Sequence, residues 1–142
     1  MALPLAVLAL VIMAALVAVV LAGALVEQRV GRNGLHAVQA AGAAAAGVSQ
    51  VVGGWEGYGL GTLVPGESVA LPRVTAPGRT EYVPIVTRLN GELFRIRVGA
   101  TRTDADGEVL ASREGNLIVR LGDSGAAAPV QPIAGRPWLM AP

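Results

Sequence analysis

Apolar residues run almost without interruption from Met1 to Val26: only Pro4 and Gly23 break the series, and no charge precedes Glu27. A helix needs roughly 20 such residues to cross a bilayer core, so residues 1–26 predict a hydrophobic helix long enough to span one. Pro4 falls in the first turn, where its missing N–H breaks no helical bond. From Glu27 the pattern turns amphipathic. Gln28, Arg32, His36 and Gln39 mark a polar stripe at helical spacing, and Val30, Gly34, Val38, Ala41, Ala45, Val48 and Val52 mark an apolar one. No proline occurs between Pro4 and Pro65. Residues 3–52 therefore read as one helix, of which 27–52 are the Ala-rich amphipathic half; at 1.5 Å per residue it extends about 75 Å. The run AVQAAGAAAAG offers little apolar area, but small side chains let helix backbones approach closely. The pattern predicts packing on copies of itself, with an alanine-rich helix covering its own domain as the alternative.

The helical period stops at Gly53-Gly54. Residues 53–66 form a Gly-rich connector whose Trp55 and Tyr58 are expected to plug a helix–sheet junction. Period two follows over 67–121. Glu67–Val74 is a weak strand. Thr80–Leu89 sets Val83, Ile85, Thr87 and Leu89 on one face, and Pro84 suits an edge or a bulge. Asn90-Gly91 predicts a type I′ hairpin. Glu92–Thr103 turns Phe94, Ile96, Val98 and Ala100 inward and Arg95 and Arg97 outward. After a turn at Asp106-Gly107, Glu108–Leu121 turns Leu117, Val119 and Leu121 inward, with a break expected at Glu114-Gly115-Asn116. The expected fold is α+β: a long N-terminal α-helix whose C-terminal half packs on a roughly four-stranded antiparallel sheet. Its core is drawn from Val48, Val52, Phe94, Ile96, Val98, Leu117 and Val119. Residues 122–142 form a Pro/Gly/Ala tail whose Trp138, Leu139 and Met140 are expected to dock on the sheet or on a neighbouring subunit.

Composition narrows the function. The 142 residues are 53% hydrophobic and 15% charged, too apolar for intrinsic disorder, and the absence of cysteine excludes disulfide scaffolds and thiol catalysis. Every basic residue is arginine, yet the formal net charge is only +1, so no basic excess points to a nucleic-acid partner. His36, the single histidine, sits on the polar stripe without a clustered partner, which argues against a Ser-His-Asp arrangement or a multi-histidine metal site. Asp104, Asp106 and Glu108 lack calcium-loop spacing and read as turn acids. GYGLG opens no helix and is no phosphate loop. The expectation is a protein that is not an enzyme and takes no cofactor or metal.

The N-terminal MALPLAVLALVIMAALVAVVLAGALVEQRVGRN, followed by an Ala-rich run and an antiparallel sheet, resembles the type IV pilin superfamily: type IV pilins, minor pilins and the pseudopilins of type II secretion. Similarity in the sequence itself is confined to roughly residues 1–50, which look most like the minor-pilin and pseudopilin branch. The resemblance implies that a prepilin peptidase removes a short basic leader, leaving Met1 as an N-methylated mature residue. Such a leader also reconciles the topology with Arg29 and Arg32, which by themselves would hold the C-terminal part in the cytoplasm. It further implies a subunit that waits in the inner membrane until pilus assembly machinery draws it into a homo-oligomeric, extracellular helical filament at the cell surface, with a part in cell adhesion. Leu3, Leu5, Leu8, Ile12, Leu16, Val20, Gly34, Ala41 and Ala45 would then pack the filament core. One position departs: Leu5 stands where most major pilins carry a glutamate that pairs with a neighbour's N-terminal amine, which suits a minor pilin or pseudopilin at a filament tip. A single-pass membrane-anchored periplasmic interaction module is the further alternative.

Overall fold

A computed structural model describes residues 2–122 and 130–133, with side chains for Leu10 and for residues 13–122 and 130–133. Helix α1 runs Ala2–Gly53. The chain divides into two units, Met1–Leu35 and His36–Pro142. The first is helix alone, and its described side chains are exposed. In the second, the end of α1 covers an antiparallel sheet. The fold is thus α+β, one long N-terminal helix packing on a sheet.

Six strands build that sheet: β1 Ser68–Ala70, β2 Val74–Ala76, β3 Thr80–Asn90, β4 Leu93–Thr103, β5 Val109–Leu121 and β6 Val130–Pro132. Their order is β1-β3-β4-β5-β6, with β2 also pairing β3. The sheet exceeds the expected four strands for two reasons. The weak Glu67–Val74 segment divides into β1 and the start of β2, and the tail contributes β6, whose Val130 is buried. Pro84 is the reason for the division. Its carbonyl accepts from the Leu71 amide at 2.8 Å, and a strand residue's N–H and C=O face the same side. The donor that proline lacks therefore faces the gap between Ala70 and Val74. The expected bulge is found there: between the pairs Ala70–Ile85 and Val74–Tyr82, three residues stand opposite Val83 and Pro84, a register shift of one.

Two local expectations are corrected. Asn90 and Leu93 pair around a two-residue loop, but positive φ occurs among the described residues only at Gly59, Gly66, Gly78, Arg79 and Gly107, so the turn is not type I′. A register shift between Arg88 and Asn90 supplies the needed twist instead. Nor does β5 break at Glu114-Gly115-Asn116: those residues pair in unbroken register with Gly99, Val98 and Arg97, and the irregularity falls at Arg102/Thr103. Gly115 faces α1, where a Cβ would make an ordinary contact of 3.4 Å with the Ala44 Cβ.

Close approach decides which face of α1 is inside. Ala40, Ala43, Ala44, Gly47, Val48 and Val51 are buried against the sheet, while Val38 is 69% exposed and Ala41 and Ala45 flank the contact half-buried. The buried face is rotated from the expected apolar stripe, onto the smallest residues available. Opposite it, Val86, Phe94, Ile96, Val98, Ala100 and Val119 are fully buried. Trp55 closes the end of the helix, its ring edge-on to Phe94 with centroids 5.0 Å apart. Gln50 joins the layers: its Oε1 accepts from the Tyr82 hydroxyl at 2.6 Å and its Nε2 donates to the Tyr58 hydroxyl at 3.2 Å.

Gly47 is the tightest point, since a Cβ there would stand 2.7 Å from Val98 Cγ1 and 2.8 Å from Tyr82 Cδ2. Gly47→Val is expected to destabilise the helix–sheet unit by about 3 kcal/mol through overpacking. Urea unfolding of the detergent-solubilised chain, followed by tryptophan fluorescence, measures it; an unchanged midpoint would contradict the close packing.

Candidate functional site

The chemistry-bearing groups are dispersed. Among the described residues no three His, Asp or Glu side chains are grouped to hold a metal ion. Asp104 folds its own turn: its Oδ1 accepts from the amides of Asp106 at 2.9 Å and Glu108 at 2.8 Å, around Gly107 at φ 86°. His36 does have a partner, which corrects its reading as an isolated surface residue. Arg102 Nε donates to His36 Nδ1 at 3.0 Å, and the same guanidinium reaches the Gly78 carbonyl. A guanidinium only donates, so Nδ1 is the acceptor of a bond that ties α1 to β4.

Arg88 has a comparable structural task. Its guanidinium donates to the carbonyls of Gly91, Leu63 and Gly61 and lies 5.3 Å over the Phe94 ring, fastening the connector to the β3–β4 turn. Trp55 Nε1, buried in that corner, has no hydrogen-bond partner among the described residues.

The exposed apolar surface of α1 is a stronger feature than any polar cluster. Leu16 is 61% exposed, Val20 69% and Val30 65%, and Met13, Val17, Val19, Leu21, Leu25 and Val26 are exposed as well. Successive helical residues point about 100° apart, so Val19, Val20, Leu21 and Ala22, all exposed, together coat the helix all round. A helix apolar on every side belongs in a protein interior or a membrane. This one is long and apolar enough to cross a membrane, and none of the apolar stretch is buried. Within the second unit, α1 turns Val38, Gly42, Ala46, Ser49 and Gly53 away from the sheet. A Cβ added at Gly42 meets nothing within 4 Å, nor does one at Gly31 or Gly34.

The expected site residues fall as follows. Met1 and the side chains of Leu3, Leu5, Leu8 and Ile12 lie outside the described residues, as do Trp138, Leu139 and Met140. Leu16, Val20 and Gly34 are exposed on α1. Val48, Phe94, Ile96, Val98, Leu117 and Val119 are buried together, and Val52 packs at their margin. Sequence reasoning passed over Ala40, Ala43, Ala44, Gly47 and Val51. Their spacing of three and four was visible, but alanine and glycine carry little weight against valine in an apolar count.

No family model matches the chain, and neither a curated protein nor a solved structure matches it. The fold class and the uncovered apolar helix therefore stand on the structure alone.

Proposed function

We propose that the chain is a structural subunit of an extracellular type IV pilus-like helical filament, assembled through its N-terminal helix. The observation that carries this reading is the apolar coat of Met13–Val26, which none of the described residues covers. Lipid covers it before assembly and neighbouring helices after. Because lipid already shields apolar surface, the net drive to assemble comes from close helix packing. The open glycines at 31, 34 and 42 permit that packing. The α+β arrangement, a long apolar helix ending on an antiparallel sheet, is compatible with a pilin-like subunit.

Immunogold electron microscopy of material sheared from cells that make the protein tests the proposal. Label along filaments supports it, label confined to filament ends supports a minor pilin or pseudopilin at the tip, and protein found only in membranes supports an anchored periplasmic module instead. Gly42→Leu and Ala46→Leu refine the test. Both positions face away from the sheet, so the helix–sheet unit should keep its stability within about 0.5 kcal/mol while filaments are lost. Normal filaments from both variants would refute close packing on this face.

A further inference from the structure

The sheet face opposite α1 carries a polar groove of about 330 Å³ bordered by Ser68, Ile85, Thr87, Arg95 and Arg97. Its construction follows from register. Arg95 and Arg97 alternate outward on β4; Arg95 is flanked by Thr87 and Ile118, and Arg97 by Ile85 and Asn116, so neither has an acid directly across. Each leans one pair along β5. Arg95 Nε donates to Asn116 Oδ1 at 3.1 Å, and Arg97 Nε lies 4.0 Å from Glu114 Oε2, opposite the bare Gly99.

Arg95 is thus held at Nε from the β5 side, and Arg97 faces Glu114 on that side without a hydrogen bond to it. Among the described residues their terminal nitrogens have no partner, and Arg95 has no carboxylate within 4.0 Å. Other arginines of the sheet unit are spent differently: Arg73 pairs with Glu81 at 3.0 Å, Arg120 lies 3.9 Å from Glu92, and Arg88 and Arg102 are taken up by backbone carbonyls and His36. On the far side of the groove, the Ser68 and Thr87 hydroxyls share one hydrogen bond of 2.8 Å, which leaves one hydroxyl proton free to donate elsewhere.

We propose that this groove binds a carboxylate-bearing saccharide. The paired terminal nitrogens of an arginine match a carboxylate in a bidentate manner. The Ser68–Thr87 pair matches sugar hydroxyls, and Ile85 offers an apolar floor for the C–H face of a ring. The volume lies at the lower end of small-molecule sites, enough for one or two sugar units. The groove is complete within one copy of the chain, so the inference is independent of the filament reading.

Isothermal titration of the full chain in lipid nanodiscs at low salt tests it, with trigalacturonate, galactotriose and inorganic phosphate as probes. Saturable binding of trigalacturonate alone is expected. Arg95→Gln or Arg97→Gln should weaken it by about tenfold or more, as loss of a charge-assisted pair implies, while Arg120→Gln, outside the groove, leaves it unchanged. Circular dichroism melts confirm that each variant folds. Absence of trigalacturonate binding, binding that survives Arg95→Gln and Arg97→Gln, or equal binding of galactotriose or phosphate would each overturn the proposal.

Discussion

Phe94→Ala is expected to destabilise the helix–sheet unit by about 4 kcal/mol, near the middle of the range for truncating a buried aromatic side chain. Phe94 is fully buried on β4 and touches both supports of that corner: Trp55, edge-on at 5.0 Å, and the Arg88 guanidinium at 5.3 Å. It is the only phenylalanine in a chain with 4% aromatic content. The rest of the core is alanine, valine, leucine and isoleucine around one buried tryptophan and one tyrosine, so the neighbours are poorly equipped to fill the cavity. A typical domain has only about 5–15 kcal/mol of net stability, and the variant would lose a large part of it. Urea unfolding followed by tryptophan fluorescence gives the difference. A loss below about 1 kcal/mol, well under the usual range, would show that the corner collapses around the deletion and that the core is centred elsewhere.

The second large effect concerns the other unit. Val17→Asp combined with Leu21→Asp places two carboxylates one helical turn apart in the most apolar stretch of α1, at positions that are both exposed. Each charge near the middle of a spanning helix costs about 2.5–3.5 kcal/mol on insertion scales, so the pair removes roughly 5–7 kcal/mol of insertion free energy. The expected result is loss of the protein from the membrane fraction and of any filament, with the helix–sheet unit still folded because no mutated side chain belongs to its core. Val17→Leu with Leu21→Val, which preserves the apolar coat, should behave as the parent. Membrane retention of the doubly charged chain would contradict the view that this stretch resides in lipid.

The sequence disclosed most where its period was strong. The alternation of Phe94, Ile96, Val98 and Ala100 against Arg95 and Arg97 states the two faces of β4 directly, and residues of that inward series are fully buried. The apolar run through Val26 is equally plain, as is the change of period near Gly53. What stayed hidden depends on partners distant in the chain. Gly47 reads as a helix-weakening residue until the positions of Val98 and Tyr82, both far along the chain, show that a Cβ there would stand 2.7 and 2.8 Å from them. Arg88 binds backbone carbonyls, which leave no trace in side-chain pattern. β6 is three residues with a proline on each side of Val130-Gln131, a composition that argues against a strand. The outward direction of Arg95 and Arg97 was legible, but the groove beside them requires the register of β1 on β3, and that strand is too short to carry a period.

The alanine face of α1 also bears on the order in which the molecule is made. Ala40 to Val51 leave the ribosome long before Phe94, Val119 and Val130, the residues that will cover or border them. Translation at about 5–20 residues per second leaves the helix without its sheet for several seconds. A face of leucines would be a hazard during that wait, inviting aggregation or a mistaken entry into lipid. Methyl groups and a bare glycine expose little surface, so the newborn helix can stay in water until its cover arrives, and the contact that results is tight because the side chains are small.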